Sequence, residues 1–166
     1  RADPDDLAAV LDTALGDPDA AVRREAAEAT GRHPAAAASL RERLQSTLDA
    51  DDDAHCREAA ALALGGSGSG AAADALVDAL ETEQTPLVRE AIAGALGALG
   101  RPDTVGVVVS LTRGEKPAVR RRAVVALAAF DTPAADAAIE AAAHDRDRYV
   151  REAAEWLLRL DDDPAT

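Results

Sequence analysis

PLVREAIAGALG, residues 86 to 97, sets one arginine, Arg89, at the head of a segment built almost wholly from alanine, glycine and aliphatic residues. Four other stretches align with it: AAVRREAAEATG at 20 to 31, AHCREAAALALG at 54 to 65, AVRRRAVVALAA at 118 to 129 and YVREAAEWLLR at 149 to 159. The arginines in register are Arg23, Arg57, Arg89, Arg120 and Arg151, separated by 34, 32, 31 and 31 residues. A period near 31 sustained along the chain marks stacked units, each too small to bury its own apolar face.

Counting from each arginine, the third and sixth positions are small or apolar, as in Ala26 and Ala29 or Ile92 and Ala95. The seventh is leucine in Leu64, Leu96, Leu127 and Leu158, with Thr30 the exception. That spacing is one face of a helix, and its small residues admit a close neighbour. Gly31, Gly65 and Gly97 follow at the eighth position and read as stop signals, since glycine tolerates the left-handed conformation that ends a helix. A second apolar helix is expected after each stop, roughly over 35 to 48, 71 to 81, 103 to 112 and 134 to 144, with 4 to 15 as an opening half-unit. Leu44 and Leu48, Leu76 and Leu80, and Val107 and Leu111 mark their core faces.

Composition agrees with helices. Hydrophobic residues make up 48% of the chain, yet there is one Phe, one Tyr, one Trp and no Met, so the core must rely on close backbone approach. The 31 acids against 18 Lys and Arg give a net charge of −13, which disfavours nucleic acid and anionic membrane as partners. Asp supplies 20 of the acids, and Lys116 is the lone lysine. Such a surface suits high salt, where the Debye length shrinks to about 3 Å at 1 M, or else reflects a GC-rich codon bias. Cys56 is the only cysteine, so no internal disulfide can form, and a cytoplasmic location is the expectation.

The pattern resembles the HEAT-repeat family, most closely the short subclass named after the phycobilisome bilin lyases. The residues that carry it are the Val-Arg pair, the Ala-rich helix with Leu then Gly, and an acid six places before the arginine. That acid is Asp17, Asp51, Glu83 or Asp145, and the fourth unit has Gly114 there with Glu115 beside it. The resemblance implies that arginine and acid form a ladder between stacked units; for Arg89, the acid expected to lose its partner on mutation is Glu83. On this reading residues 1–166 are one all-α domain, a right-handed α-solenoid of about five HEAT-like helix pairs, or about ten antiparallel helices. The units run roughly 17–50, 51–82, 83–113 and 114–144, with half-units 1–16 and 145–166.

Catalytic signals are weak. DADDD, residues 49 to 53, opens like a calcium loop, but Ala54 and Ala60 stand where glycine and a bidentate glutamate are needed. It reads instead as an acidic connector ahead of a helix N-terminus. GGSGSG, 65 to 70, lacks the lysine of a phosphate loop, and His33, His55 and His144 lie in different units. No catalytic residue, metal or cofactor is expected.

Two surface features stand out. Arg113, Lys116, Arg121 and Arg122, with Arg120, concentrate cations as a possible basic docking patch. On the second helices, which line the concave side in HEAT-like solenoids, the outward positions include Asp74, Asp78, Asp136 and Glu140, interrupted by Val105 and Val109. Val109 is expected to face away from the core and anchor a partner. The leading expectation is a non-enzymatic scaffold that binds another protein in a mostly acidic concave groove. The alternative is a bilin-lyase-type enzyme or chaperone acting on a tetrapyrrole or a modified protein.

Overall fold

The computed structural model describes residues 4–161. Its helices are α1 (Pro4–Ala14), α2 (Ala20–Gly31), α3 (Pro34–Ser39), α4 (Arg41–Ala50), α5 (Ala54–Gly66), α6 (Gly70–Thr82), α7 (Pro86–Leu99), α8 (Val105–Leu111), α9 (Pro117–Leu127), α10 (Pro133–Ala142) and α11 (Arg148–Asp161), with one 3₁₀ turn at Pro102–Thr104. Among the described residues every regular element is helical. The five arginine stretches are α2, α5, α7, α9 and α11, and the chain folds as an all-α solenoid.

Eleven α-helices stand where about ten were expected, because the segment after α2 divides at Leu40. There the Leu40 N–H donates to Ala36 O at 2.8 Å, and Ser39 Oγ donates to the same carbonyl at 3.1 Å. A serine hydroxyl competing for a helical carbonyl loosens the helix where it sits. Leu40 accordingly leaves the helical region, with ψ at 15°.

Three of the five arginine helices, α2, α5 and α11, are started by a side chain four places ahead of the arginine, while α7 and α9 open on Pro86 and Pro117 with no side-chain cap. Asp19 accepts from the Ala21 N–H, Asp53 from the N–H groups of His55 and Cys56, and Asp147 from those of Tyr149 and Val150. These bonds satisfy donors that a helix start leaves free.

The arginine helices form one closely stacked layer, α2 to α5 to α7 to α9 to α11. Ala27, Ala61, Ala93 and Val124, four places after their arginines, are fully buried, a face that the 3-6-7 reading did not include. At the seventh position Thr30 is buried as well, its hydroxyl donating to Ala26 O at 2.7 Å. The second helices α4, α6, α8 and α10 touch one another over much shorter stretches. Larger side chains, such as Leu44, Leu76, Val108 and Leu111, fill the space between the layers.

Gly31, Gly65 and Gly97 correct the expectation of helix stops. None has positive φ, and Gly65 and Gly97 lie inside their helices. A Cβ on them would meet the next arginine helix: Ala63 Cα at 3.1 Å, Ala95 Cα at 2.7 Å and Ala126 Cβ at 2.6 Å. They are glycine because two backbones pass there with no room for a side chain. The left-handed cap of α7 is Gly100, at φ 57°.

Candidate docking surface

The ladder runs between units. Arg23 Nε and Nη2 donate to the Asp51 carboxylate at 2.7 and 2.9 Å, Arg57 Nε donates to Glu83 at 2.8 Å, and Arg120 grips Asp145 at 2.8 and 2.6 Å. Each guanidinium in the register also binds its own unit through Nη1. Nη1 of Arg23, Arg57, Arg89 and Arg151 donates to the backbone carbonyls of Asp17, Asp51, Glu83 and Asp145, and that of Arg120 to Glu115. The first four rungs therefore tie a loop to its own helix and to the next unit, and Arg151 makes the first of these ties.

Arg89 corrects the expected pairing. Its carboxylate partner is Glu115, at 2.5 Å, while Glu83 gives Arg89 only its backbone oxygen. Glu115 replaces the acid missing at Gly114, whose φ of 71° lets the loop turn one residue later. Among the described residues Asp17 has no guanidinium partner and Arg151 no acid; Asp17 accepts the Asp19 N–H instead.

The same geometry sets the acid strengths. Arg23 holds the Asp51 carboxyl below its ordinary value, and Arg120 does the same for Asp145. Burial pushes Glu83 upward, but Arg57 and the Thr85 N–H and hydroxyl outweigh it, leaving that carboxyl low. From Arg23 to Asp145 the ladder's charges are thus paired across each boundary between units.

The basic cluster does not form one patch. Arg120 is a buried rung, Arg113 and Lys116 are exposed at the loops beside the ladder, and Arg121 and Arg122 lie on the outer face of α9. Arg122 comes within 3.9 Å of Glu90.

On the second helices Asp74, Asp78, Asp136 and Glu140 are all exposed. Asp74 is not free, because Arg101 bonds it along with Asp103 and the Gly70 carbonyl, strapping α6 to the turn before α8. Beside Asp78, the Asp49 carboxyl is raised by burial and then by the Asp78 charge. Val105 and Val109 are half-buried and pack against the core, so Val109 does not stand free on the surface as expected. Gly106 and Ser110 are the exposed residues of α8.

Of the exposed large apolar side chains, Val10, Val22 and Leu160 lie at scattered positions, and the other four are on the arginine helices α5, α9 and α11. Leu62, Val125 and Trp156 occupy the fifth place after their arginines on α5, α9 and α11, with Tyr149 nearby on α11. The signal was present in the sequence as apolar residues at a helical position that neither core face uses. The arginine helices touch one another over longer stretches than the second helices do, so these side chains lie on the more tightly stacked layer.

The family described as HEAT repeats matches residues 5–97 and again 82–159. The chain belongs to the HEAT-repeat family. Among solved structures, human deoxyhypusine hydroxylase in complex with glycerol is 25% identical over 96% of this chain and 63% of its own, with a TM-score of 0.62. The complex of CpcE and CpcF of phycocyanin lyase from Nostoc sp. PCC7120 is 23% identical over 95% of this chain and 66% of the other, with a TM-score of 0.76. An engineered protein is 22% identical over 92% of this chain and 78% of its own, at 0.60. The likeness to bilin-lyase-type repeats thus holds at the level of the fold, and this HEAT-repeat chain spans less than two thirds of the first two. Comparison with curated proteins finds no match. Among the described residues no helix is long and apolar enough to cross a membrane, and no group of three or more His, Cys, Asp or Glu converges on a metal position.

Proposed function

We propose that the chain is a non-enzymatic docking scaffold whose partner protein seats on the arginine-helix layer. The observation that carries this reading is the group of exposed apolar side chains Val125, Tyr149 and Trp156 lining one cleft, with Leu62 exposed at the same register position on α5. Exposed apolar side chains grouped on one face mark an interaction site. The second-helix face is solvated, and Asp78, Asp136 and Glu140 keep their water there.

A photo-crosslinking residue placed at Val125, and separately at Ser46 on the second-helix layer, tests the assignment in lysate of the source organism. The expected result is a protein adduct from position 125 and none from 46. Adducts from 46 alone, or none from either, would remove the reading.

A second reading, a bilin-lyase-type enzyme or chaperone, is favoured by one observation: the chain's single Trp and single Tyr line one cleft together with arginines. Aromatic faces and guanidinium groups suit a tetrapyrrole with carboxylate arms. Mixing the protein with a bilin and recording its absorption distinguishes the two. An unshifted band supports the scaffold.

A further inference from the structure

A cleft of about 700 Å³ opens between α9 and α11 on the arginine-helix layer. On α11, Tyr149, Ala153 and Trp156 are four and three residues apart and share one helix face. The two rings are 63% and 55% exposed, and the methyl-sized Ala153 between them leaves a seat for one bulky apolar side chain.

The charges around this seat are unlike those of the rest of the chain. Among the described residues Arg121 and Arg159 make no ion pair and no side-chain hydrogen bond, and Arg122 reaches Glu90 only at 3.9 Å. Of the two acids on the lining, Glu152 is held by Arg148 at 2.6 Å, which leaves Glu155 against three guanidinium groups. In a chain of net charge −13, this is a local cationic excess beside exposed aromatic rings. Farther along the same layer Glu25 and Glu28 are exposed but paired with Arg32 and Arg24, and Glu58 and Glu90 are half-buried, so among the described residues the guanidinium groups of this layer without a close acid lie at the α9–α11 end.

From this geometry we infer that the cleft binds an acidic peptide segment of a partner protein. One bulky apolar side chain sits over Ala153 between Tyr149 and Trp156, and flanking carboxylates pair with Arg121, Arg122 and Arg159. Guanidinium forks match carboxylates in two-bond geometry, which gives the contact direction as well as energy. A peptide fits better than a compact ligand because the cleft is open and runs between two helices, lined from Arg121 on α9 to Arg159 on α11. Packed helices are about 8–10 Å apart, a distance that about three extended residues span. The inference rests on the docking reading of the same layer and adds the chemistry of the occupant.

Panning short random peptides on phage against the whole chain at about 0.15 M salt tests it, since there repulsion from acids beyond roughly 8 Å is screened while ion pairs in contact persist. The enriched peptides should combine Asp or Glu with one Phe, Leu or Ile. A selected peptide lacking Trp should shift the emission of Trp156, the chain's only tryptophan. Arg121→Glu should weaken that peptide tenfold or more while leaving the melting temperature unchanged, because Arg121 has no partner to lose. Enrichment of Lys and Arg, or an Arg121→Glu variant that binds equally well, would overturn the acidic occupant; if Trp156 emission still shifts, the docking reading survives. Emission that changes with protein concentration alone, together with faster sedimentation, identifies a second copy as the occupant and overturns the peptide. No enrichment and no emission change removes the occupant and its seat, while the crosslinks from position 125 judge the docking reading independently.

Discussion

The two helix layers are built from residues of different size, and that difference shapes the molecule. In the arginine-helix layer the contacts between units are Gly31 on Ala63, Gly65 on Ala95 and Gly97 on Ala126. In the second-helix layer Leu48, Leu76, Val108, Leu111 and Ile139 turn inward, while neighbouring helices of the layer meet only briefly. Small residues let backbones close up, and large ones hold helices off the layer beneath. The tighter layer is the one that carries the exposed Leu62, Val125 and Trp156.

The largest expected effect would break the tight layer at its ladder. Arg120→Ala leaves Asp145 as an unpaired, largely buried carboxylate and should destabilise by about 3–5 kcal/mol. Arg24→Ala removes only an exposed pair with Glu28, about 0–1 kcal/mol. Equal melting temperatures for the two would show the ladder to be ornamental.

The same rung carries a pH dependence. Asp145 has its carboxyl lowered by Arg120, so its contribution is full above the ordinary carboxylate value near about 4 and disappears as pH falls through the lowered value. Asp145→Asn should therefore melt well below the parent at neutral pH, and the two curves should converge under strong acid. A gap that is constant with pH would mean that the lost stability is not ionic.

Glycine substitutions sharpen the contrast between layers. Gly97→Ala places a methyl 2.6 Å from the Ala126 Cβ and should destabilise by about 1–3 kcal/mol. Gly106→Ala in α8 meets nothing within 4 Å and should stabilise by about 0.4–1 kcal/mol. Chemical denaturation of both variants decides it, and matching signs would contradict the difference in spacing.

The weakest effect per group is that of the exposed acids on both layers. If their repulsion is appreciable, the melting temperature should rise between dilute buffer and molar potassium chloride at neutral pH, where Asp and Glu are ionised and cannot relieve it by protonation. A flat profile would leave codon bias as the account of the acid excess.

The repeat was legible because stacking imposes the same demand on every unit. Arginine at one helical position, acid before it and Leu at the seventh place must recur if each unit is to fit the next. The ladder partner of Arg89 was misassigned because backbone and carboxylate contacts of one acid look alike in a sequence. Glu83 gives Arg89 its carbonyl while its carboxylate turns to Arg57. The glycines were misread for a related reason: a helix stop and a close backbone approach both require the absence of Cβ, and only Ala95 and Ala126 in space tell them apart.

By itself the sequence determined helix positions, the ladder and the all-α stack, since these follow from residue type at fixed intervals. Only the tertiary structure decided that Arg89 meets Glu115, that Val109 packs on the core, and that Arg121, Tyr149 and Trp156 share one cleft. Those outcomes depend on distances between units, and spacing along one chain does not encode the angle at which one helix meets the next.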